Sequence, residues 1–254
     1  MPRRNSGSAV STWRRLAISC RACHSALPWA YWITMRRGFR RPPSGLASRL
    51  CRPSLTDAKS AMVKRLATKE VAGILLAAGR GTRFGGDKLL AAFDSECVGA
   101  AACRHLLMAL PRVVAVVRPD DAALAAALGA AGARIVRCAN ADDGMGASLA
   151  CGVRGTQDAA GWVVALGDMP WIEPATIARV ASAVGLGAIV AAPFHHGQRG
   201  HPVGFGAGCY AALSALTGDD GAKSVVLAHG DRITRIDVDD AGTLSDIDRP
   251  ADIA

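Results

Sequence analysis

Residues 71–254 predict a doubly wound α/β fold with a mostly parallel sheet, on three observations. Apolar runs of strand length alternate with helical patterns. The runs are near-continuous in Val, Ile, Leu and Ala rather than alternating with polar residues. Polar, glycine-rich clusters follow four of them. Continuous apolar strands belong to parallel sheets, whose two faces are both covered by helices.

Each element has its own reason. VAGILLAA (71–78) reads as the first strand, and residues 98–110 as the helix that returns from it. RVVAVV (112–117) is the second strand, and the pair Asp120-Asp121 opens a helix over 120–130. ARIVRC (133–138) is the third strand, followed by a helix over 146–155. GWVVALG (161–167) is the fourth, and Glu173-Pro174 places a proline in the first turn of a helix over 174–184. GAIVAAP (187–193) is the fifth. Ligands of such sheets bind beyond the carboxyl ends of the strands. GRGTRFGGDK, ANADDGMG, GDMP and FHHGQRGHP all fall at those ends, so four loops are expected to build one site.

The net charge of +9 resembles a nucleic-acid signal, but its distribution removes that reading. Of the 30 Lys and Arg and 21 Asp and Glu, twelve and one fall in residues 1–61, leaving 18 and 20 for residues 62–254. A basic nucleic-acid binder would carry its charge on the folded part, so no nucleic-acid partner is expected. Residues 1–61 are Arg-, Ser- and Pro-rich without sustained periodicity. They read as untranslated sequence ahead of a start at Met62, as a disordered tail, or as a targeting segment. Residues 62–254 are then the catalytic domain. The longest apolar stretch of the first segment, residues 26–35, is too short to span a bilayer, so no membrane partner is expected. CRACH (20–24) has the haem-attachment pattern, but with neither an export signal nor a pocket it reads as chance. Cys97, Cys103, Cys138, Cys151 and Cys209 lack metal-ligand spacing and read as small core residues of a cytoplasmic protein.

The stretch ILLAAGRGTRFGGDKL (74–89) carries the chemistry. It is not a P-loop, since Lys88 is followed by Leu89 instead of Ser or Thr. It is not a dinucleotide fingerprint, since Phe84 occupies the third glycine position. A nicotinamide-dependent oxidoreductase therefore loses its phosphate loop, although Asp120 stands where its ribose-binding acid would. Gly79 and Gly81 nevertheless let the backbone approach a phosphate, with Arg83 as a forked donor and Lys88 as a mobile point charge. Asp168, at the end of a buried strand, is placed to hold Mg²⁺ against a triphosphate. Asp246 and Asp248 put two more carboxylates on one face of an extended segment, where a second metal ligand or a turn former are both open readings. Glycines, cations and a metal-holding carboxylate on one sheet edge suit phosphoryl or nucleotidyl transfer, which works by positioning and charge neutralisation.

These residues resemble a known family. LLAAGRGTRFGGDK is similar to the L-A-A-G-x-x-x-R-x-G-x-x-K signature of Rossmann-like nucleotidyltransferases. DGMGASLACGV, ALGDMPWI, RGHPVGF, GDDGAK and DIDRPAD resemble, in order, the later motifs of the molybdenum-cofactor nucleotidyltransferases. LAAG is similar to the cytidylyltransferase branch, which transfers CMP from CTP to molybdopterin. The resemblance implies that Ala77, Ala78, Gly79, Arg80, Gly81, Arg83 and Lys88 bind the triphosphate. It puts Asn140 and Ser148 near base or ribose, with a helix cap as the other reading of Ser148. Arg83, Lys88 and Asp168 are the catalytic set, and Asp168, Asp246 and Asp248 the metal set. Gly200, His201 and Pro202 face the acceptor. A molybdoenzyme or maturation factor is an expected partner. Transfer from GTP, or to a sugar phosphate, stays open within the same class. His195 and His196 are expected to be surface residues, and the AAFDSECVGA stretch after Lys88 departs from the family pattern.

Overall fold

The computed structural model describes residues 70–81 and 84–253, all within one unit running from Val63 to Ala254. The expectations for residues 1–61, for CRACH and for Arg83 lie outside the described residues.

The predicted strands form. β1 (Val71–Leu76), β4 (Val113–Val117), β5 (Arg134–Arg137), β6 (Gly161–Leu166) and β7 (Val190–His195) run parallel in an eight-stranded sheet of order β10 (Ile233–Asp237), β7, β9 (Val203–Gly206), β6, β1, β4, β5, with the eighth strand, β8 (Gln198–Arg199), paired to β7 off this path. The predicted helices form too, as α1 (Val98–Ala109), α2 (Ala122–Ala130), α3 (Met145–Arg154) and α4 (Pro174–Gly185). Alternate strand residues feed two cores. Leu75, Ala115 and Val163 pack under α1, α2 and α4 with Leu106, Leu128 and Val180. Ile74, Val116 and Trp162 face the other way, toward Leu149 and Val153 of α3. That two-sided burial is why these strands read as continuous apolar runs.

Several elements were not anticipated. β9 (Val203–Gly206) inserts antiparallel between β6 and β7, β10 (Ile233–Asp237) adds a parallel edge strand, and β8 (Gln198–Arg199) pairs with β7 as a hairpin. α5 (Tyr210–Ser214) and α6 (Lys223–His229) complete the α3 face. β9 escaped because VGFG is short and half glycine. Its glycine is required by packing: a Cβ at Gly204 would lie 2.6 Å from Val184 Cγ2 of α4. After Lys88 a single 3₁₀ turn (Lys88–Leu90) leads to the hairpin β2 (Ala92–Phe93) and β3 (Glu96–Cys97) before α1 begins. The departure in AAFDSECVGA is thus a tight hairpin, with Asp94 left-handed at its turn (φ 49°).

Gly152 lets α3 settle flat on the sheet, since a Cβ there would lie 2.8 Å from Ile74 Cγ2 and 2.9 Å from Val116 Cγ2. The helix N-terminus is thereby brought to the carboxyl edge of β1 and β4. All five described cysteines are free, and burial pushes the Cys103 thiol up to about 11. Among the described residues no helix is long and apolar enough to cross a membrane.

Candidate active site

The loop leaving β1 begins with Ala77, whose amide still bonds Val116 O of the neighbouring strand at 2.9 Å. Beyond it, the amides of Gly79, Arg80 and Gly81 have no acceptor among the described residues. Gly81 takes a left-handed φ of 58°, and a Cβ there would lie 3.0 Å from Gly86 O. Successive unpaired amides on a glycine turn form a concavity suited to an anion. Lys88 opens the 3₁₀ turn that follows, with its amide held by Gly86 O at 2.8 Å.

Lys88 points into the edge of the sheet. Its Nζ donates to Asp168 Oδ2 at 2.7 Å and lies 3.8 Å from Asp248 Oδ1. Asp168 sits just past β6, where Gly167 N bonds Leu76 O at 2.9 Å and aligns the GDMP turn with the β1 loop. The second oxygen, Asp168 Oδ1, is buried and has no hydrogen-bond partner among the described residues. A buried carboxylate oxygen left unpaired is costly in an apolar setting and is suited to a hard divalent cation. The donor set therefore fits such an ion. Asp168 O also accepts from Ile247 N at 2.9 Å, which draws the SDIDRPAD segment against the site. Ile247, between Asp246 and Asp248, is buried. Asp252 fixes that turn by accepting from the amides of Asp248 and Arg249.

A cavity of about 440 Å³ opens beside this pair. Ala78, Gly79, Arg80, Gly81 and Lys88 line one wall, and Met145 and Ser148 of α3 the other. Ser148 lies within the first turn of α3, with Gly144 at the cap (φ 106°), so its cap reading is corrected. Asn140 is exposed, accepts from Cys138 Sγ at 3.4 Å and does not line the cavity. Asp246 is exposed too, on an adjoining open concavity beside Trp171.

Arg118, Asp142 and Asp219 are charged lining residues that were not read from the sequence as part of the site. Arg118, just past β4, and Arg80 both donate to Asp142 Oδ1, at 2.5 and 2.7 Å, which holds that carboxyl below its usual range. The network joins the β1 loop to ANADD across the cavity mouth. Asp219 reaches the same wall because Gly146 N bonds Gly218 O at 2.7 Å. Arg118 was findable, since any residue directly after a parallel strand lies at the ligand edge.

Gly200, His201 and Pro202 do not line the cavity. His201 N bonds Thr243 O at 2.9 Å, Gly200 N bonds Pro193 O at 2.9 Å, and the His201–Pro202 peptide is cis. His201 Nδ1 is buried without a partner among the described residues. Burial lowers the imidazole's pKa, Arg199 lowers it further, and the charges of Asp168 and Asp246 oppose both.

This geometry has known counterparts. Residues 73–233, well over half of the chain, match the model of the MobA-like NTP transferase domain. The chain belongs to that family. Rv0371c of Mycobacterium tuberculosis H37Rv is similar to it at 26% identity, covering 74% of this chain and 96% of that one, with a TM-score of 0.66. A manganese complex of Rv0371c aligns at 24% identity over 66% and 88% of the two chains, with a TM-score of 0.58. Molybdopterin-guanine dinucleotide biosynthesis protein A of Archaeoglobus fulgidus shares the fold, at 18% identity over 72% and 95% and a TM-score of 0.53. No curated protein matches the chain. As a MobA-like transferase the protein is a nucleotidyltransferase, and its motifs lie on the loops that the sheet brings together.

Proposed function

We infer that the protein transfers CMP from CTP to molybdopterin with release of pyrophosphate, in a reaction dependent on Mg²⁺. The observation that carries this reading is the Lys88–Asp168 pair at the cavity edge, with Asp168 Oδ1 buried and unpartnered among the described residues. The cavity would hold the nucleotide, and the Gly200–Pro202 turn, outside it, would meet the acceptor. Choice of CTP and molybdopterin rests on the motif resemblance, LAAG and GDMP with GHPV above all.

In this reading the unpaired amides of Gly79–Gly81 bind the triphosphate, with Arg83 and Lys88 neutralising its charge. Asp168, with Asp246 or Asp248, would hold Mg²⁺, which supplies charge neutralisation on the phosphates when bound. An oxygen of the acceptor's terminal phosphate forms a new bond to the α-phosphorus, and the bond from that phosphorus to the α–β bridging oxygen breaks. Pyrophosphate leaves with that electron pair. Lys88 is positioned to meet the charge that develops on the leaving group. The acceptor phosphate is already ionised, so no general base is needed, and His201 positions the acceptor instead.

The test measures pyrophosphate release with Mg²⁺ and each of CTP, GTP, ATP and UTP, with molybdenum-loaded molybdopterin, with a sugar phosphate, or with no acceptor. Pterin-dependent release with CTP supports the reading. Pterin-dependent release with GTP moves the protein to the guanylyl branch with the same site. Release only with a sugar phosphate as acceptor overturns molybdopterin as substrate.

A further inference from the structure

A second cluster of ligating side chains lies away from the cavity. His195 ends β7, His196 is the first residue of the β7–β8 turn, and Asp239 follows two residues after β10. One ligand atom from each of the three lies within 4.8 Å of the other two, and the two imidazole centroids are 4.1 Å apart. The strands hold this convergence in place, because β10 pairs in parallel with β7 and Val238 N bonds Phe194 O at 2.9 Å.

We propose that His195, His196 and Asp239 form a binding site for a first-row divalent cation of the zinc class. His195 Nδ1 lies 3.3 Å from Val238 O. A proton on Nδ1 donates to that carbonyl and leaves the Nε2 lone pair facing outward, the second-shell arrangement that orients ligating histidines. His196 occupies a left-handed turn position (φ 47°), where glycine or asparagine is the unstrained choice, and the backbone so held turns its imidazole onto that of His195. The adjacent acids are used differently. Asp240 is buried and accepts from Gly242 N and Glu173 N, each at 3.0 Å, whereas Asp239 has no hydrogen bond or ion pair among the described residues. One nearby cation is engaged elsewhere, since Arg235 pairs with Asp237 at 2.7 Å and stacks on Phe194, while Arg199 lies on β8, opposite Phe194 in the hairpin.

Two imidazoles and one carboxylate select zinc-class ions over Mg²⁺, which prefers oxygen alone. Ligation at about 2.0–2.1 Å needs the three atoms to close in slightly, which rotation of the exposed His196 and Asp239 side chains allows. The ion would clamp the β7–β8 turn to the exit of β10, and one coordination position would stay open to water. This site stands independently of the nucleotidyl-transfer reading.

The test uses the full chain, stripped of metal and titrated with Zn²⁺ and then with Co²⁺ as a visible probe. Cys20, Cys23 and His24 are another candidate set for zinc, so the measured quantity is the difference between the wild type and ligand-site variants. His196→Asn suits the left-handed position and keeps the fold without the ligand. His195→Gln keeps a donor for Val238 O, and Asp239→Asn keeps the shape of the third ligand. The expected result is one more zinc equivalent on the wild type than on the His195→Gln/His196→Asn double variant. Each single variant should bind at least ~100-fold more weakly. A low-symmetry Co²⁺ absorption should be present in the wild type and absent from the double variant, and excess Mg²⁺ should not displace it. Equal zinc stoichiometry and identical Co²⁺ spectra in wild type and double variant would overturn the site.

Discussion

Lys88 and Asp168, 80 residues apart in sequence, meet through a 2.7 Å hydrogen bond at the carboxyl edge of the sheet. Both side chains are mostly shielded, at 13% and 23% exposure, so the pair works with little solvent screening. Lys88→Ala removes the charge expected to meet the leaving pyrophosphate. Its kcat should fall by about 10²–10³, the usual loss for one transition-state donor. Stability should drop by no more than about 3 kcal/mol, since the carboxylate it leaves behind is still partly exposed. Turnover together with urea denaturation checks both parts.

Asp168→Asn keeps the side chain's shape and an acceptor for Lys88, but removes the charge that suits Oδ1 to a cation. The expected loss in turnover is about 10³-fold, corresponding to several kcal/mol of charge stabilisation. The thermal midpoint should stay close to that of the wild type. Measuring rate against Mg²⁺ concentration separates this from misfolding, because only a metal role moves the Mg²⁺ dependence.

The parts that could be read in advance share a physical reason. Burial of Ile74, Val116 and Val163 on a two-sided sheet leaves a continuous apolar record, so β1, β4 and β6 were legible. The place of Asp168 at the sheet edge was legible because it lies two residues past the buried strand β6. β9 was not, since its signal is the absence of a Cβ under α4, which only the packing at Gly204 explains. The Arg80–Asp142–Arg118 network was missed because its members come from three loops, and local spacing carries no trace of their meeting. The pairing of His195 with Asp239 escaped for the same reason, as it depends on β10 lying beside β7.

Gly200→Ala should injure the acceptor side selectively. A Cβ there would lie 2.4 Å from Thr243 O, a backbone atom held in place by the bond from His201 N. The turn must shift, at a cost of about 1–3 kcal/mol. Steady-state kinetics should show a raised KM for the pterin acceptor and an unchanged KM for the nucleotide.

His201 ties stability to pH. Its folded pKa lies below 6.5, first because burial disfavours the imidazolium and then because Arg199 repels it. As pH falls below 6.5 the unfolded chain takes up this proton before the folded one does. Stability should therefore decline with falling pH down to the folded pKa and change no further below it on this account. His201→Gln should flatten that part of the profile, as read by urea unfolding at about pH 7.5 and about pH 5.5.

The most direct test of the account follows the α-phosphate itself. CTP labelled at that phosphate is given, with Mg²⁺ and molybdenum-loaded molybdopterin, to the wild type, to a chain starting at Met62, and to Asp168→Asn. The account predicts label on the pterin product with the first two proteins and almost none with the third, although all three are folded. Equal labelling by Asp168→Asn, or label that reaches the pterin only when residues 1–61 are present, would contradict a transfer centre built on Lys88 and Asp168.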